Sequence, residues 1–205
     1  MLQRVVKSLS TIDALTLFLT GLVCVIIPPY WYYYGVHNFL WLSDLGLFAT
    51  VVALWSHSIL LMSTAAVGVF VLELVWCVDF FVDLIFNINI IDLSDYMFNP
   101  AYPLFLRSLS FFHVITPVIW LLYLQKHGYN SRALLGATVS YWIVLFMTYM
   151  LTPVSENINW VFLPTVYQWA LVSQFVWVGF LCLFFPLAIF FPTHLLFSFL
   201  FKRSG

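Results

Sequence analysis

Charge is what this chain has least of. Seven of its 205 residues are Lys or Arg and eight are Asp or Glu, 7% in all, where a soluble domain carries about 25%. So few charges cannot clothe a water-facing surface, which excludes a soluble enzyme and a disordered tail together. The net charge is −1 and there is no basic cluster, so there is no electrostatic footprint for nucleic acid. Cysteine is scarce too: Cys24, Cys77 and Cys182 are scattered, with no CxxC pair, and read as buried apolar thiols instead of a disulfide framework. The five histidines form no HxxxH or HExxH motif. Internal repeats of the inverted kind that mark many transporters are missing as well.

What is abundant is apolar surface. Hydrophobic residues make up 64% of the chain, aromatic residues 20%, and the mean hydropathy is +1.04. A helix needs roughly 20 apolar residues to cross the hydrocarbon core. Six stretches qualify or nearly do: 11–27, stopped by Pro28-Pro29; 36–55; 58–75; 103–125; 132–151; and 165–191. The expected fold is therefore all-α, a single polytopic helical bundle of about six spans over 1–205. Arg4 and Lys7 ahead of the first run have the shape of a signal peptide. Asp13 interrupts that run, however, and no small-x-small site precedes the aromatic cluster 30–34, so a retained span is expected.

Orientation follows from the basic residues. Six spans put Arg4, Lys7, Lys126, Arg132, Lys202 and Arg203 on one side, with Arg107 the exception, and Asp79, Asp83, Asp92, Asp95 and Glu156 on the other. The positive-inside rule then makes both termini cytoplasmic. The expected setting is a plasma membrane, the inner membrane in a bacterium. Trp31, Tyr32, Tyr33 and Tyr34 read as an aromatic belt at the headgroups. The segment 76–91, with Asp79 and Asp83 among large apolar residues, is expected to lie along the outer interface as an amphipathic helix, followed by an outer loop to residue 100.

An ionisable group at membrane depth is costly and so is a candidate site by default. Counting from the outer ends of their spans at 1.5 Å per residue, Ser43 and Asp44 lie about 10–12 Å deep and His113 about 15 Å. Glu73 lies near the outer end of span three and His37 at the mouth of span two. His57 reads as a wetted turn residue, His127 as loop, and His194, after Pro192, as a kink or interface anchor. A serine and a histidine are the minimum for nucleophilic acyl chemistry. Ser43 and Asp44 are adjacent and point about 100° apart on a helix. Either Ser43 meets His113 while Asp44 anchors another group such as His37, or Asp44 pairs with His113 and Ser43 is passive.

The order of these motifs resembles a known family. HNFLWLSDLGLF (37–48), YPLFLRSLSFFHV (102–114) and TPVSENINWVFLP (152–164) are similar, in order and spacing, to three stretches of the YwaF-type, transmembrane protein 164-like integral membrane family. The resemblance implies six spans and acyl transfer between membrane lipids through a cysteine in the span-two motif and a histidine in span four. Carried over, the histidine is His113 and the cysteine position holds Ser43. It also places Asn157 and Asn159 near the site, alongside His37, Asp44 and Glu73 as supporting polar groups. A second similarity, to the androgen-induced-gene type of fatty-acid-ester hydrolase, implies that a hydroxyl nucleophile can serve beside a histidine in six spans. A set of bacterial membrane proteins of unknown function is similar too.

Three functions compete on these residues. One is a lipid acyltransferase or ester hydrolase using Ser43 and His113. Another is a non-enzymatic carrier or subunit of a membrane assembly. The third is a metal-dependent hydrolase with His37, Asp44, Glu73 and His113 around zinc, against which stands their dispersal singly over separate helices. The expected partners are membrane lipids, with a homo-oligomer or other membrane proteins left open and nucleic acid excluded. No cofactor and no metal are expected.

Overall fold

The computed structural model of the chain describes residues 11–163 and 173–201. Among these residues there is no strand, and the architecture is all-helical. In chain order the helices are α1 (Thr11–Tyr34), α2 (Leu42–Trp55), α3 (Ile59–Phe86), α4 (Leu104–Leu109), α5 (Phe112–His127), α6 (Ala133–Leu151), α7 (Gln174–Phe184) and α8 (Phe191–Leu200). Short 3-10 turns lie at Val36–Leu40, Asp95–Met97 and Ile158–Trp160, and a π turn at Phe185–Phe190 joins α7 to α8. Among the described residues, four helical stretches are long and apolar enough to cross a membrane: Asp13–Tyr34, Leu104–His127, Ala133–Leu151 and Gln174–Leu200.

Helix α3 is the hub of the bundle, packing against α2, α5, α6 and α8. Small residues let its neighbours come close, as they do in helix pairs that gain nothing from hiding apolar surface from lipid. A Cβ added at Gly136 of α6 would sit 2.6 Å from Thr64 Oγ1, and one at Gly46 of α2 would sit 3.1 Å from a Val69 methyl. Polar threads supplement this packing: Trp120 Nε1 of α5 donates to Thr50 Oγ1 of α2 at 2.7 Å, and Asn130 N, in the α5–α6 loop, donates to Ser63 Oγ of α3 at 3.1 Å. The α2–α3 turn is closed by His57 in a left-handed conformation, φ 50°, and by Ser58, which caps α3 by accepting from Leu61 N.

Several helix boundaries differ from the sequence expectation, each for a physical reason. Helix α1 does not stop at Pro28-Pro29 but continues to Tyr34. A proline's fixed φ is already helical, and Tyr30 secures the last turns by placing its hydroxyl 2.7 Å from Ser110 Oγ. The second stretch is helical only from Leu42, because Gly35 at φ 81° and a 3-10 turn precede it. Helix α3 shows no break after Val75. It runs 28 residues without interruption, so 76–86 is the continuation of one helix and not a separate interfacial one. The expectation of water-facing acids fails at Asp79, which is 1% exposed: its carboxylate accepts from Ile91 N, Ser94 N and Ser94 Oγ, folding the loop that follows back onto α3. The fourth stretch breaks at Ser110-Phe111, between α4 and α5. The last extends past Phe191 to Leu200, the π turn widening the helix around Pro186 and Pro192. Residues 164–172, where that stretch was expected to begin, lie outside the described residues, as do residues 1–10.

Candidate functional site

The breaks in α2 and in the fourth stretch fall at the same end of the bundle, and together they open a cavity. Irregular backbone within a membrane domain is tolerated where it is buried in protein or lines a cavity. This cavity measures about 640 Å³, within the range of small-molecule sites. Its walls come from the end of α1 (Tyr30, Tyr34), the start of α2 (Leu42, Ser43, Asp44), one face of α3 (Leu72, Glu73, Trp76), the loop after α3 (Ile91 to Leu93, Tyr96), the α4–α5 junction (Ser110, Phe112, His113) and the segment after α6 (Glu156, Asn157, Asn159, Trp160). Six of the seven expected site residues, Ser43, Asp44, Glu73, His113, Asn157 and Asn159, therefore line one space; His37 does not line it.

The pairings inside it depart from the expectation. His113, 8% exposed, is held by Glu73: the Nδ1 of the imidazole pairs with Glu73 Oε2. Neither Ser43 nor Asp44 takes that nitrogen. The ring is clamped between Trp76, 4.3 Å away and 17° from parallel, and Phe112, 4.2 Å away and 26° from parallel. With Glu73 as carboxylate, Nδ1 donates, which leaves the Nε2 lone pair bare. Nε2 makes no hydrogen bond among the described residues. Ser43, half-buried in the first turn of α2, spends its hydroxyl on no hydrogen bond among them either.

The suggested link between Asp44 and His37 is also corrected. His37 Nδ1 lies 3.3 Å from Glu156 at the exposed mouth, because the 3-10 turn that carries it lies against the segment after α6. Asp44 is 3% exposed. Its Oδ2 accepts a long 3.5 Å hydrogen bond from Asn38 Nδ2, while its Oδ1 has no partner. Glu73, 1% exposed, likewise leaves Oε1 unpartnered.

The two asparagines are structural supports. Asn159, at φ 54°, uses its whole amide: Oδ1 accepts from Leu42 N at 3.1 Å, and Nδ2 donates to Leu40 O at 2.7 Å and to Thr148 Oγ1 at 3.2 Å. It staples the start of α2, and so Ser43 and Asp44, to the end of α6. Asn157 Oδ1 accepts from Phe162 N and shapes the same turn.

Sequence reasoning missed Tyr34 and Trp76. Tyr30 and Tyr34 are four apart on α1 and so share a face; both turn inward, with the Tyr34 hydroxyl left without a partner, while Trp31, Tyr32 and Tyr33 stay exposed as a belt would. Trp76 stands three residues after Glu73, on the same face of α3. Among the described residues no group of three or more His, Cys, Asp and Glu side chains converges as a metal site. Comparison with family models, curated proteins and solved structures gives no match, so the family resemblance stands on its three short sequence blocks alone.

Proposed function

We propose that the chain is a six-span integral membrane protein that cleaves or transfers an acyl ester of a membrane lipid, with Ser43 as nucleophile, His113 as general base and Glu73 as the group that orients it. The observation that carries this reading is the Glu73–His113 pair in a cavity that Ser43 also lines. In the first step Ser43 Oγ attacks the ester carbonyl carbon and its proton passes to His113 Nε2. The carbon–oxygen bond to the lipid alcohol breaks, and His113 returns the proton to that alcohol. Water or a lysolipid hydroxyl then attacks the acyl-serine, giving a fatty acid or a new ester, and Ser43 regains its proton by the reverse route. A serine-reactive fluorophosphonate is expected to label the purified parent protein and to leave Ser43→Ala unlabelled. Equal labelling of the two would refute the assignment of Ser43.

The membrane topology belongs to the same proposal. The cavity end of the bundle faces outward and both termini face the cytoplasm, because six of the seven basic residues fall on the terminal side. On a background with the native cysteines replaced, Asp95→Cys is expected to react with an impermeant maleimide in intact cells and Gly128→Cys to stay unmodified until the cells are opened. The reverse pattern would invert the model.

A further inference from the structure

The charge lining the cavity is of one sign. Asp44, Glu73, Asp92 and Glu156 border it, and among the described residues no lysine or arginine does. Arg107, in α4, turns its guanidinium to the Met97 carbonyl at 2.6 Å. Two of the acids have already found partners: Glu73 binds His113 through Oε2, and Glu156 meets His37. Asp92 lies exposed in the loop, and Asp44 is the buried acid that meets no cationic side chain among the described residues. It is 3% exposed, faces the cavity, and its Oδ1 has no partner. A carboxylate buried without a counter-ion is expensive, so a cation drawn into the cavity gains most beside it.

The remaining wall is aromatic. Tyr34, Trp41, Trp76 and Trp160 all border the space, and ring faces attract cations, tryptophan most strongly. A buried acid within an aromatic enclosure suits an organic ammonium group, whose charge is spread over bulky, weakly hydrated substituents. A phosphate or carboxylate would be repelled by these acids, with no lysine or arginine of the described residues lining the space to offset them. We infer that this cavity binds an organic ammonium group, with Asp44 as its counter-ion and the aromatic side chains as its enclosure. This inference uses the same cavity as the proposed ester chemistry but does not need that chemistry to occur.

The test is binding to the intact protein in a neutral maltoside detergent, read by the fluorescence of the cavity tryptophans. The probes are choline, as a free ammonium ion, its uncharged isostere 3,3-dimethyl-1-butanol, and dodecylphosphocholine, as a lipid headgroup. Choline is expected to give a saturable change and the isostere none. Asp44→Asn is expected to weaken choline at least about tenfold, whereas Leu135→Ala, on the exposed face of α6 away from the cavity, is expected to bind choline as the parent does. Saturation by dodecylphosphocholine at concentrations well below those of choline identifies a lipid headgroup as the source of the ammonium; the opposite ranking identifies a free amine. Equal responses to choline and its isostere, or choline binding unchanged in Asp44→Asn, would overturn the inference. Should Asp44→Asn fail to fold, the comparison of choline with its isostere on the unaltered protein decides the matter alone. Loss of fluorophosphonate labelling as a property of the parent, with choline binding intact, would remove the ester chemistry and leave the ammonium site standing.

Discussion

Replacing His113 with glutamine is expected to lower ester turnover by about 100- to 10,000-fold, the usual contribution of a positioned general base. Glutamine fills much of the same space between Trp76 and Phe112 and still offers Glu73 a donor, so the helix junction should survive while the base is lost. Glu73→Gln is expected to reduce turnover at least about 100-fold by a different route. Its amide can donate to Nδ1, which favours the tautomer with the proton on Nε2, where it cannot accept from Ser43. Turnover kinetics of the two variants, with melting curves to confirm folding, check both. Parental turnover in His113→Gln would mean that the imidazole is not the base, and parental turnover in Glu73→Gln that the carboxylate does not orient it.

Removing the Asn159 amide is expected to be the most damaging structural change. Asn159→Ala strips partners from Leu42 N, Leu40 O and Thr148 Oγ1 at a position 1% exposed, and each buried polar group left unpaired costs about 1–3 kcal/mol. Alanine also suits the left-handed backbone there less well than asparagine. A melting temperature lowered by about 5–15 °C is the expected outcome, since 1 kcal/mol moves a domain of this size by roughly 2–4 °C. Because the staple holds the first turn of α2, fluorophosphonate labelling of Ser43 should fall as well, even below the melting transition. An unchanged melting temperature would mean that the three hydrogen bonds are dispensable.

The helical class was legible in the sequence because it rests on composition and run length, which tertiary contacts do not overturn. The fifth run, 132–151, has no internal proline and emerges as α6 almost residue for residue. The boundaries that moved are those where local and tertiary signals compete. Pro28-Pro29 reads locally as a stop, but Tyr30 bonding Ser110 across the bundle carries α1 onward. Asp79 reads locally as a water-facing acid, yet three donors from the returning loop satisfy it under cover. Depth counting placed Ser43, Asp44 and His113 near one level, and the structure brings all three to one cavity, but at helix starts instead of within continuous helices. Which acid holds His113 could not be read from depth. Glu73 was displaced outward in the count because the third run was ended too early, at Val75, when the helix continues for eleven more residues to Phe86.

The central claim, an acyl ester formed on Ser43 with His113 as base, is tested most directly by mass spectrometry of the protein after incubation with phospholipid vesicles and acid quenching. An acyl adduct on the peptide containing Ser43 in the parent, and none in His113→Gln, is the predicted result. Lipid ester turnover that persists in Ser43→Ala, or an adduct on any other residue, would contradict it.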